Sequence, residues 1–181
     1  MKRRVKKEAL GIIQEQLDEG KPRKEILEEL TKIYNDRSAI AELIAMTPDK
    51  KTKEKYSVLN YIVLCGLVIS LGLSIYAAYL LFKEKPVESV IALCIVLWIM
   101  LYFIIEVAKF KGYIYNLITF LVIIGIIGDL TRISEFGKWD IIGIIVSLAF
   151  AGLTFFLSKK MFPNYGFFQL KKDNNGDYLL E

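Results

Sequence analysis

The 181-residue chain contains no histidine. That absence removes the commonest general base, the commonest metal ligand and the usual switch of charge near neutral pH. Cysteine is nearly absent too. Cys65 and Cys94 both fall inside apolar runs, where a free thiol behaves as a small buried hydrophobe, so no disulfide scaffold is expected. No phosphate-binding glycine loop, nucleophile elbow or paired acidic constellation occurs. Asp173, Asn175 and Asp177 have the spacing of a calcium loop. That loop needs glycine at its sixth position, where Tyr178 stands. The expectation is a non-enzymatic protein with no catalytic residue, no metal and no cofactor.

Charge is also missing, but only locally. Residues 1–56 hold 14 Lys/Arg and 11 Asp/Glu, leaving ten and nine for the other 125 residues. The stretch Ser57–Phe82 carries none. As a helix at 1.5 Å per residue its 26 residues span roughly 39 Å, more than the roughly 30 Å of bilayer hydrocarbon. Backbone groups in lipid must bond internally, so the stretch must be helical. Three further apolar segments follow, at about 87–107, 112–128 and 141–158, separated by short polar clusters. With 54% hydrophobic residues, the composition is that of an integral membrane protein. The fold class expected is all-α: four transmembrane helices in a domain over 47–158.

Before the spans, residues 1–46 read as a small amphipathic helical module. Leu10, Ile13 and Leu17 share one helix face, and Ile26, Leu30 and Ile33 share another. Gly20 suits a helix end, Pro22 the first turn of the next helix, and Asn35-Asp36 a break. Ala39, Ile40, Leu43 and Ile44 suggest a third, shorter helix. Thr47-Pro48-Asp49 reads as a helix start with Thr47 as the cap, so the first span is expected to begin near residue 48, outside the hydrocarbon. In the tail, 159–181, Asn-Gly between apolar runs is a β-hairpin signal. The N-terminus is basic, but charges recur from Glu8 to Glu19, so no cleavable signal peptide is expected.

Basic residues set the expected orientation. Lys50, Lys51, Lys53, Lys55, Lys109, Lys111, Lys159, Lys160, Lys171 and Lys172 lie on the side of the two termini. Lys83, Lys85, Arg132 and Lys138 lie on the other. Both termini are expected in the cytoplasm, in a multi-pass plasma (inner) membrane protein. Lys50, Lys51, Lys53, Lys55, Lys159 and Lys160 are the expected contacts to anionic lipid. Residues 1–46 carry ten basic and nine acidic groups, which argues against a nucleic-acid partner.

Small residues recur every fourth position in the first span (Gly66, Ser70, Ser74, Ala78) and in the fourth (Gly143, Ser147, Ala151). Such ridges let helices approach closely, within the bundle or between protomers. Cys94, Trp98, Tyr102 and Glu106 form a stripe on the second span, and with Asn116 they are the candidate polar path. Against that, Glu106 sits in the last turn, where Lys109 can pair with it. Asn60 and Thr119 also lie near span ends.

The functional expectation is a membrane anchor or relay whose cytoplasmic helices bind a partner or copies of the chain. The alternative is an oligomeric channel or pore-type effector gated from the cytoplasmic side, and the third is a small transporter.

Overall fold

The computed structural model describes residues 3–131, 137–166, 169–172, 176 and 178–180. Seven helices run through them: α1 (Arg3–Asp18), α2 (Arg23–Tyr34), α3 (Arg37–Ala45), α4 (Lys50–Phe82), α5 (Pro86–Ala108), α6 (Gly112–Leu130) and α7 (Lys138–Met161). The last four are each long and apolar enough to cross a membrane. α4 pairs with α5 and α6 with α7; the two hairpins meet mainly along α4 and α7, whereas α5 and α6 barely touch. α1–α3 sit on one end of this bundle, the proximal end, and the opposite end is distal.

Local chemistry accounts for the helix ends. α1 stops at a Schellman motif: Gly20 is left-handed (φ 84°), its N–H donates to Leu17 O, and Lys21 N–H donates to Gln16 O. Asn35 is left-handed at the end of α2, and the Asp36 carboxylate then accepts from Ala39 N–H to start α3. α5 ends in the same Schellman pattern as α1. There Phe110, not glycine, is left-handed (φ 53°), with Phe110 N–H donating to Val107 O and Lys111 N–H to Glu106 O.

Three expected boundaries shift. Pro22 occupies the cap position of α2, whose first residue is Arg23. The cap of α4 is Asp49: its Oδ1 accepts from Thr52 N–H at 2.8 Å, while the Thr47 hydroxyl turns back to Leu43 O at 2.7 Å. α7 begins at Lys138, ahead of the apolar run, because Asp140 in its first turn accepts from Gly137 N–H at 2.7 Å.

α1–α3 bury Ile13, Leu17, Ile26, Leu30, Ile40 and Ile44, and this cluster continues into the proximal ends of the spans through Val63, Val107 and Ile114. On α2 the buried face is Ile26, Leu27 and Leu30; Ile33, expected to join it, is 66% exposed. The tail returns to the same end, where Phe162 packs on the Tyr115 ring (centroids 5.8 Å apart) and Leu180 is buried. Asn174, Asn175 and Asp177 of the expected hairpin turn lie outside the described residues. The described tail contains only isolated antiparallel bridges, Tyr165 with Leu170 and Lys172 with Tyr178, and no strand.

Candidate functional site

Polar side chains inside the bundle gather at its proximal half. Tyr115 and Thr119 are one turn apart on α6, and Thr154 and Ser158 one turn apart on α7, so the two pairs share facing surfaces. Tyr115 Oη donates to Asn60 Oδ1 at 2.7 Å, and Asn60 Nδ2 donates to Val107 O at 3.3 Å. This ties α4, α5 and α6 together. The Ser158 hydroxyl donates to Asn116 Oδ1 at 2.6 Å, and Asn116 Nδ2 donates to Gly166 O at 2.8 Å, which joins α7, α6 and the tail. Below them the Thr119 and Thr154 hydroxyls share a hydrogen bond of 2.7 Å. All six residues are buried and each bonds within the protein. A fully satisfied belt braces helices in lipid.

Glu106 stands apart from this belt. Its carboxylate accepts from Tyr113 Oη at 2.6 Å, lies 3.4 Å from Lys109 Nζ and is 15% exposed. Tyr113 Oη is also 2.7 Å from Tyr102 Oη, and Trp98 stacks on Tyr102. Trp98 is 74% exposed and Cys94 is also exposed, so the stripe lies along the outer face of α5. Asn116 belongs to the buried belt. The stripe and Asn116 are therefore not brought together.

The two small-residue ridges take different surroundings. Gly66 lies under Phe150 of α7, whose ring would stand 2.7 Å from an added Cβ. Only glycine admits the ring there without a shift. Ser70 and Ser147 face each other's helices across a cleft of about 420 Å³ between the two hairpins, walled by Leu67, Met100, Phe103 and Ile118. The Ser74 hydroxyl bonds Ser70 O at 2.9 Å, Ala78 is half-buried and Ala151 buried. Gly143 is exposed, with nothing within 4 Å of an added Cβ.

Among the lysines, Lys50, Lys51 and Lys160 are exposed, Lys55 lies over the Tyr56 ring and Lys159 over Phe155. Lys53 donates to Gln14 Oε1 on α1. Polar contacts tie α1 to α4: Asp18 Oδ1 accepts both Gln14 Nε2 of its own helix at 2.7 Å and the backbone N–H of Lys50 at 2.8 Å. Asp18 is thus a second cap on α4, supplied by another helix. Nearby, the Arg23 guanidinium donates to Ile44 O at 2.6 Å, and burial lowers its pKa. Sequence spacing indicated neither Asp18 nor Tyr113 as a partner for these positions.

No cluster of three or more His, Cys, Asp or Glu suited to a metal ion occurs among the described residues. Fold and composition define a small, all-helical, multi-pass membrane protein. Compared with family models, with curated proteins and with solved structures, the chain matches none of them.

Proposed function

We propose that the protein is a non-enzymatic membrane anchor or relay, in which α1–α3 bind a partner protein or a second copy and α4 carries that event into the bundle. One observation carries this reading. α4 runs unbroken from Lys50 to Phe82, and its first N–H groups are capped partly by its own Asp49 and partly by Asp18 of α1. A shift of α1 would release a cap on the rod that enters the membrane, at a cost of about 1 kcal/mol. That is enough to bias two arrangements of a bundle whose hairpins meet over one seam. The excess of lysines at the proximal end supports a cytoplasmic location for both termini in an inner membrane.

Ile33 is the large apolar side chain that α1–α3 leave exposed, and it marks the face proposed for contact. A photo-crosslinking residue at position 33, in the full chain in native membranes, should give a discrete adduct, at twice the chain's mass or with one partner. The same residue at the exposed, charged position Lys24 should not. An inserted protein giving no adduct at position 33 would sink the proposal. Depolarisation of cells on expression would favour the pore-type effector instead.

A further inference from the structure

At the proximal end α1, the α3–α4 connection, the start of α4 and the turn between α5 and α6 line an open cavity of about 230 Å³. Three lysines line it, Lys53 from α4 and Lys109 and Lys111 from the turn, and no carboxylate does. Their existing partners offset the charge only in part. Lys53 bonds the neutral amide of Gln14. Lys109, the most exposed of the three, pairs with Glu106 Oε1 at 3.4 Å, beside the Oε2 that accepts from Tyr113. The side-chain ammonium of Lys111, a half-buried residue, has no hydrogen bond or ion pair among the described residues. Asp18 and Asp49 act on Lys53 from outside the cavity lining, where they cap α4. Like charges held together in a partly desolvated site repel unless an anion joins them.

The backbone supports the same assignment. Phe110, between the two turn lysines, holds a left-handed conformation that glycine fills at the equivalent place in α1. A left-handed bulky residue costs about 1–2 kcal/mol and persists only where its surroundings require it. Here the Phe110 ring becomes a wall of the cavity and packs against the core, with Leu10 and Met46 as further walls.

We infer that this cavity is a binding site for the phosphate headgroup of an anionic phospholipid, held by Lys53, Lys109 and Lys111. Free phosphate offers the same anion, but position favours the lipid. The α5–α6 turn joins two membrane-crossing helices through three residues, so its lysines stand within about one turn of the hydrocarbon, at headgroup depth. The cavity is smaller than the roughly 300–1,000 Å³ of pockets for drug-sized ligands and suits a phosphate diester with a small alcohol. The site rests on the proximal end lying at an anionic leaflet, and is independent of any partner at Ile33.

Native mass spectrometry of the full-length protein, released from micelles holding equal phosphatidylglycerol and phosphatidylcholine, tests this. The wild type should retain one phosphatidylglycerol in preference to phosphatidylcholine. Lys111→Gln removes no bond within the protein and should weaken that preference about fivefold; Lys109→Gln/Lys111→Gln should weaken it by roughly 25-fold. Lys24→Gln/Lys32→Gln, exposed on α2 at the same end but outside the cavity, should retain it. Equal retention by Lys109→Gln/Lys111→Gln, equal loss in Lys24→Gln/Lys32→Gln, or no preference in the wild type would overturn the site. So would inorganic phosphate displacing the lipid, which would show a soluble-anion site. Resistance of each variant to carbonate extraction from membranes reports insertion separately.

Discussion

α1–α3 and α4–α7 are built from opposite arrangements of the same residue types. In α1–α3 the aliphatic side chains point inward, Ile13, Ile26 and Ile40 all at 0% exposure, and charges cover the outside. In α4–α7 most aliphatics away from the proximal end point outward: Ile69, Ile91 and Ile145 are more than half exposed, while Asn60, Asn116, Thr119, Thr154 and Ser158 are buried. Only 11% to 33% of each span's most apolar window is buried within the protein, so lipid must serve as the solvent for the rest. Water drives the first arrangement by expelling apolar surface. Lipid offers no such force, and hydrogen bonds with close packing take its place.

The largest contrast should therefore come from one substitution made in both regions. Ile13→Ala opens a cavity in a water-driven core and should cost about 2–5 kcal/mol. Ile145→Ala, on a side chain 60% exposed on α7, should cost about 0.5 kcal/mol or less in micelles. Denaturant titration of the solubilised protein measures both. Equal losses would mean that the outer face of α7 is covered by protein, and the contrast would break.

A second, smaller effect sharpens the other half of the comparison. Asn116 and Ser158 are bonded at 2.6 Å inside the bundle. A double-mutant cycle of Asn116→Ala and Ser158→Ala should give a coupling of about 0.6–1.7 kcal/mol, the range of hydrogen bonds between membrane helices. A coupling near zero would assign the belt's stability to packing alone.

The spans were legible because an uncharged run of 17 to 26 residues has few other uses, whereas their ends were not. Lys138 to Asp140 looked like loop, yet a single carboxylate cap carries the helix back across them. Thr47 and Asp49 are both good caps, and the choice went to Asp49 once the Thr47 hydroxyl bonded Leu43 O. On α2, Leu27 and Ile33 were equally apolar, and only α1 and α3 decide which is covered. Asn60, Asn116 and Thr119 stood out as polar residues in apolar runs. Their partners Tyr115, Ser158 and Thr154 lie 35 to 55 positions away, beyond any local pattern. The i, i+4 spacing of Tyr115 with Thr119 and of Thr154 with Ser158 was the available signal. The cavity lysines, on α4 and the α5–α6 turn, are likewise joined only by the pairing of α4 with α5.

The smallest expected effect lies where the two regions meet, at Asp49. Burial pushes its pKa up, but the N–H and hydroxyl of Thr52 and the charge of Arg23 together outweigh that, and the net shift is downward. A carboxyl with a lowered folded-state pKa stabilises fully above its unfolded value, about 3.9, and loses that contribution as pH falls through the folded value. Asp49→Asn keeps a cap acceptor but cannot titrate. The wild type should thus be the more stable near pH 6, and the gap should close below about pH 4. Glu29, whose pKa is also lowered, by the Lys21 hydrogen bond, titrates in both proteins and cancels from the difference. A gap that stays constant with pH would mean that Asp49 caps α4 by shape alone. The coupling of α1–α3 to the first span would then depend on Asp18, the cap that α1 supplies.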